Sequence, residues 1–182
     1  GVLVKETNSG SFTYKDSVKR PKELNAELHT PTVKGVRYGV VVGLFNNNPY
    51  EIFAFNLPED IKACRGKLIK VKKNHYNFES EEGDIILRDL QAAAVHTDEQ
   101  LLTRLISGML RHGAAPQFIM EQIDKCELEV VSYGKAVSRI LKKYCKEEEL
   151  ISRAKCSDCG STDIRMQEGC MVCNSCSSSK CG

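Results

Sequence analysis

Six of the nine cysteines fall within the last twenty-seven residues, Cys156 to Gly182, which read CSDCGSTDIRMQEGCMVCNSCSSSKCG. Tetrahedral zinc asks for two Cys-x-x-Cys pairs separated by a short connecting hairpin, because each pair lets one tight turn present two thiolates to the same ion. Cys156 and Cys159, followed by Gly160, predict the first knuckle. Both Cys170/Cys173 and Cys173/Cys176 have the spacing for the second. Cys170 and Cys173 are preferred, because Asn174 tolerates a left-handed conformation better than Ser177 does. The expected zinc ligands are therefore Cys156, Cys159, Cys170 and Cys173. Cys176 and Cys181 are left as a dithiol on a flexible end, where Lys180 lowers the pKa of Cys181. A segment this poor in apolar residues needs the metal to be ordered at all.

Clustered Cys-x-x-Cys pairs read as metal or redox chemistry in a reducing compartment, and no apolar run approaches the length that spans a bilayer. Gly1 to Gly10 has no basic-then-apolar signal layout, and the cytosol is the expected location. At 182 residues, with 41% apolar and 27% charged side chains, it has room for one ordinary domain and a small appendage. A formal charge of +2, from 26 basic and 24 acidic groups, does not describe a protein built to coat nucleic acid.

The order of elements predicts an α+β fold. Residues 1–26 read as an extended linker or a strand lent to a neighbour, 27–150 as the α+β domain and 151–182 as the zinc-ribbon-like tail. The β-branched run Val36–Phe45, the turn Asn46-Asn47-Asn48-Pro49 and Tyr50–Phe55 predict an antiparallel hairpin. Leu57–Cys64 reads as one helical turn opened by Pro58. Gly66–Asn74 is expected to pair with Asp84–Leu90 across a polar turn. The period then becomes helical. Thr97 and Gln100 form a capping-box pattern, and Leu101, Leu102, Leu105, Ile106, Met109 and Leu110 make one stripe ended by Gly113. Pro116 opens a second, short helix. A third begins near Ser132 and shows Ala136, Val137, Ile140, Leu141, Tyr144 and Cys145 on one face. Strands followed by helices predict a small, mostly antiparallel sheet covered on one face by three helices.

Several runs carry a family resemblance: KRPKEL, KG, GLFNNNPYEIFAF, TDEQLLTRLISGMLRHG, FIMEQI, GKAVSRILKKYC and the EGC..C..C....C tail. From Arg20 to Gly182 the chain resembles the C-terminal region of adenosylcobalamin-dependent, class II ribonucleotide reductases, which convert ribonucleotides to deoxyribonucleotides for DNA synthesis. The resemblance implies a tail that holds zinc and relays electrons to the active site, with Cys176 and Cys181 as the shuttle pair and a dithiol reductant feeding it. It also implies a thiol/disulfide role for this chain. Nothing in the sequence looks like the family's catalytic barrel, so adenosylcobalamin and the radical chemistry are expected in a catalytic partner. The chain is then a separate small subunit or a C-terminal fragment of the reductase.

The remaining candidates have plainer readings. Cys64, Cys126 and Cys145 sit among apolar neighbours and read as core thiols. His29, His75, His96 and His112 share no ligand spacing, and no metal is assigned to them. Lys62, Arg65, Lys67, Lys70, Lys72 and Lys73 read as a solvated strand face, because Leu68, Ile69 and Val71 interrupt them and no aromatic platform accompanies them. The competing function is a zinc ribbon that binds nucleic acid with this strand as its footprint. The near-neutral tail, with Arg153, Lys155, Arg165 and Lys180 against Asp158, Asp163 and Glu168, argues against it.

Overall fold

The computed structural model describes residues 16–57, 60–93, 97–126, 131–145 and 154–181, with backbone alone at 131, 132 and 181. The strands of the first part are β1 (Glu23–His29), β2 (Thr32–Val33), β3 (Val36–Phe45), β4 (Asn48–Asn56), β5 (Cys64–Lys72), β6 (His75–Ser80) and β7 (Ile86–Leu87). They form one antiparallel sheet in the order β2-β3-β1-β5-β6-β7, with β4 on β3. Three helices follow: α1 (Thr97–Arg111), α2 (Pro116–Asp124) and α3 (Val131–Lys142). The α+β class holds, as does the β3–β4 hairpin, whose Asn46 and Asn47 take positive φ of 49° and 62°.

Two expectations about the sheet give way. The segment taken as the end of a linker contributes β1, which lies between β3 and β5 and buries Leu24, Ala26 and Leu28 at period two. The strand at Cys64–Lys72 pairs with β6, not with the segment after Gly83, and turns through Lys73 and Asn74, where Asn74 takes φ 65°. Leu57 and residues 60–63 carry no helical turn; Pro58 and Glu59 lie outside the described residues.

β3 and β4 are buried on both faces, which is why they read as near-continuous apolar runs. Val40, Val42, Ile52 and Ala54 pack under the helices with Ile106, Ile119, Tyr133, Ala136, Val137 and Leu141. Val41, Phe53 and Phe55 face the other way, into a second cluster with Leu24, Leu28, Leu68, Tyr76 and Phe78. The sheet curls enough for Phe53 of β4 to meet Tyr76 of β6, ring centroids 5.0 Å apart.

The outer edge of β4 is covered by helices, which removes the hazard of an open edge strand. Ser107 Oγ accepts from the Ile52 N–H at 3.0 Å and donates to the Ile52 carbonyl at 3.2 Å, and Tyr133 Oη donates to the Ala54 carbonyl at 3.0 Å. This contact sets the roll of α1. Thr103, Ile106, Ser107 and Leu110 turn inward, while Leu101 and Leu105 of the expected stripe stay more than half exposed. They border a groove of about 490 Å³ between the helices. Gly113, at φ 83°, ends α1 as expected.

One buried ionic group sits in this frame. The Glu51 carboxylate is fully buried and accepts from Arg20 Nε at 2.8 Å, from Arg20 Nη2 at 2.6 Å and from Arg111 Nη2. Gly43, opposite Glu51 in the ladder, leaves the space: a Cβ there would come within 3.0 Å of Glu51 Cγ. Among the described residues, no helix is long and apolar enough to cross a membrane.

Candidate metal centre

The end of the chain folds as a three-stranded antiparallel sheet, β10-β9-β8, from β8 (Ile164–Gln167), β9 (Cys170–Cys173) and β10 (Ser179–Cys181). Glu168 and Gly169, at φ 51° and 81°, make the two-residue turn that joins β8 to β9. The buried side chains here are Cys156, Ile164 and Cys173, with Ala154 and Met171 packed against them.

Two turns of matching geometry face each other. Cys156 N–H donates to the Ser161 carbonyl at 2.8 Å, and Cys173 N–H donates to the Ser178 carbonyl at 2.8 Å. Gly160 N–H returns to the Cys156 carbonyl at 2.8 Å, and Ser177 N–H returns to the Cys173 carbonyl at 2.9 Å. Both pivots are left-handed, Gly160 at φ 72° and Ser177 at φ 62°. Asn174, expected to take that conformation, instead ties the turns together: its N–H and Nδ2 donate to the Asp163 carbonyl and Oδ1 at 2.9 and 2.8 Å. Ser161 and Ser175 add a hydroxyl contact of 2.8 Å.

The four sulfurs presented this way belong to Cys156, Cys159, Cys173 and Cys176, and all lie within 4.8 Å of one another. Cys156 Sγ is 3.5 Å from Cys176 Sγ, and Cys159 Sγ is 3.6 Å from Cys173 Sγ. A tetrahedral zinc with Zn–S near 2.3 Å sets its sulfurs about 3.8 Å apart, so the quartet has the right span and donor chemistry. Backbone amides support thiolate charge. The N–H groups of Cys159 and Asp158 hold the Cys156 thiol down at about 6, and those of Cys176 and Ser175 point at Cys173 in the same way. Such a cluster can hold a metal ion, whose binding would displace the thiol protons that remain.

Cys170 is not in the quartet, and Cys176, expected to be free, is. The reason is the backbone between the paired cysteines. From Cys170 to Cys173 the chain is extended, and three residues of strand cover about 10 Å, too far for two sulfurs to share an ion. From Cys173 to Cys176 it turns. The signal was present in the intervening residues: Met171-Val172 suits a strand, whereas Asn174-Ser175 suits a turn. Cys170 is instead disulfide-bonded, and the residue opposite it in the β9–β10 ladder is Cys181.

The other candidates are placed apart from this centre. Cys126 is exposed and is no core thiol, whereas Cys64 and Cys145 are half-buried and Cys64 packs against the second apolar cluster. Burial, then Asp84, Glu82 and Glu81, push the Cys64 thiol up. His29 Nε2 is 2.7 Å from Tyr144 Oη, which donates to Glu27 Oε2 at 2.6 Å. His75 pairs with Asp89 at 3.0 Å, and His96 lies outside the described residues. On the basic strand, Arg65 and Lys67 face Glu27 and Glu23 of β1 at 3.7 and 3.4 Å, as a solvated paired face does. Sequence reasoning missed the Arg20–Glu51–Arg111 group, which only the curl of the sheet brings together.

A family model described as "NrdJ homologue C-terminal domain" matches residues 24–146, from β1 through the end of the helical layer. No curated protein and no solved structure gives a significant match. The matched segment relates the fold to class II ribonucleotide reductase, and it stops short of the cysteine-rich end.

Proposed function

Because the chain belongs to the family of NrdJ homologue C-terminal domains, we propose that it serves a ribonucleotide reductase as a non-barrel part, delivering electrons from a dithiol reductant to a catalytic partner. The observation that carries this reading is the division of the tail cysteines into a metal-spaced quartet and a separate, disulfide-bonded Cys170, whose partner in the β9–β10 backbone ladder is Cys181. Residues directly opposite in an antiparallel ladder lie at a Cα separation suited to a disulfide.

In this reading Cys156, Cys159, Cys173 and Cys176 hold zinc, which supplies the folding free energy of the ribbon. Cys170 and Cys181 do the exchange. A dithiol reductant gives two electrons to the Cys170–Cys181 disulfide and leaves two thiols. One of them, as thiolate, attacks the disulfide formed in the partner's active site at turnover. The mixed disulfide is then resolved by the second thiol, so the partner regains its dithiol and this chain its disulfide. Adenosylcobalamin and the radical chemistry belong to the partner's barrel. The shuttle pair is therefore moved from Cys176/Cys181 to Cys170/Cys181, since the Cys176 sulfur is engaged with Cys156 and Cys159.

The test is turnover by the catalytic partner mixed with this chain. Cys170→Ser and Cys181→Ser should each keep zinc and allow one turnover but stop multiple turnover with a dithiol protein reductant. Full multiple turnover in either variant would remove the relay role. Cys176→Ser should lose zinc, whereas retention of zinc with loss of multiple turnover would return the shuttle to Cys176/Cys181.

A further inference from the structure

Where the outer edge of β4 approaches β6, α1 roofs a cavity of about 120 Å³. Its polar wall includes Asn74, Gln91, Thr103, Arg104, Ser107 and Arg111, with Tyr76 beside them, and among the described residues no acidic one lines it. Charge accumulates here. Glu51 is shared by Arg20 and Arg111, which leaves one positive charge over, and Arg104 adds another. Arg104 and Arg111 are seven residues apart on α1, about two turns, so both lean from the same helix face.

Two details indicate a ligand and not simply a basic surface. Arg111 gives Nη2 to Glu51, yet its Nε is buried with no acceptor among the described residues. A buried donor left unpaired costs on the order of 1–3 kcal/mol, and more when it is charged, so an acceptor at this point stabilises the fold. Arg104 is also held in place: with its amide oriented to satisfy both ends, Gln91 accepts from Arg104 Nη1 at 2.9 Å and donates to the Asn74 carbonyl at 3.2 Å.

We propose that this cavity is an oxyanion site that takes a phosphate group between Arg104 and Arg111. Two guanidinium groups offer paired N–H donors in the geometry that phosphate oxygens accept, and this is the ligand for which arginine is better suited than lysine. The volume holds a group of that size and lies well under the roughly 300 Å³ at which pockets for whole organic ligands begin. A phosphate monoester therefore inserts its phosphate and leaves the rest of the molecule outside.

The experiment follows the Arg111 Nε–Hε signal in ¹H–¹⁵N spectra of the full chain while inorganic phosphate, methyl phosphate or acetate is added at constant ionic strength. Inorganic phosphate should shift that signal saturably. A comparable shift with methyl phosphate identifies the ligand as a monoester, and a shift with inorganic phosphate alone identifies it as free phosphate. Arg104 is exposed, so Arg104→Gln should fold normally and weaken binding by about tenfold or more, the loss expected when one charged donor is removed. The site is overturned if the Nε–Hε signal is unmoved by phosphate, if acetate moves it as much, or if Arg104→Gln binds phosphate as tightly as the unchanged chain.

Discussion

The α+β domain and the cysteine ribbon solve the same problem with different chemistry. The domain buries two apolar clusters on opposite faces of a curled sheet and closes its exposed edge with Ser107 and Tyr133. Among its described residues the ribbon has three buried side chains, two of them cysteines. Full burial of an apolar side chain contributes about 1.5–3 kcal/mol, whereas ordering each residue's backbone costs about 1–2 kcal/mol. Three such side chains cannot balance that cost over the ribbon. The domain holds itself, and in the function proposed above the ribbon borrows its stability from metal–thiolate bonds.

Metal removal breaks this comparison most sharply. A strong chelator should collapse the amide dispersion of residues 154–181, because zinc–thiolate binding is worth about 10–16 kcal/mol in apparent folding free energy. The signals of β1–β7 and α1–α3 should persist, and ¹H–¹⁵N spectra before and after chelation check both halves. Next in size is the buried ion group. Glu51→Ala strands Arg20 and Arg111 and should cost the domain about 3–5 kcal/mol in urea unfolding while zinc stoichiometry stays the same. The smallest effect is local to the ribbon. Ser177 occupies the left-handed pivot that Gly160 fills in the matching turn, so Ser177→Gly should relieve about 1 kcal/mol and raise zinc affinity several-fold in a competition titration.

How much of this was legible in the sequence follows the same division. The helices could be read because Ala136, Val137, Ile140 and Leu141 keep a strict helical period. β1 was obscured because Glu23, Asn25 and Glu27 interleave its apolar residues, although Leu24, Ala26 and Leu28 show the alternation of a half-buried strand. β6 was missed for a similar reason: Tyr76 and Phe78 alternate with polar residues, and Lys73-Asn74 before them is a two-residue turn. The exposure of Leu101 and Leu105 was out of reach, since it depends on Ser107 meeting Ile52, fifty-five positions away. In the ribbon the cysteines announced a metal site, but spacing alone could not separate a Cys-x-x-Cys that turns from one that stays extended. The residues between the cysteines could.

The division of the tail into a metal quartet and a redox pair is tested most directly by mapping each thiol in the zinc-loaded, oxidised chain. Alkylation and mass spectrometry before and after a mild dithiol reductant, with zinc measured in parallel, should show Cys170 and Cys181 becoming reactive together on reduction. Cys156, Cys159, Cys173 and Cys176 should stay protected, with one zinc retained. Zinc release as Cys170 is alkylated, or free reactivity of Cys176 in the zinc-loaded chain, would contradict this assignment.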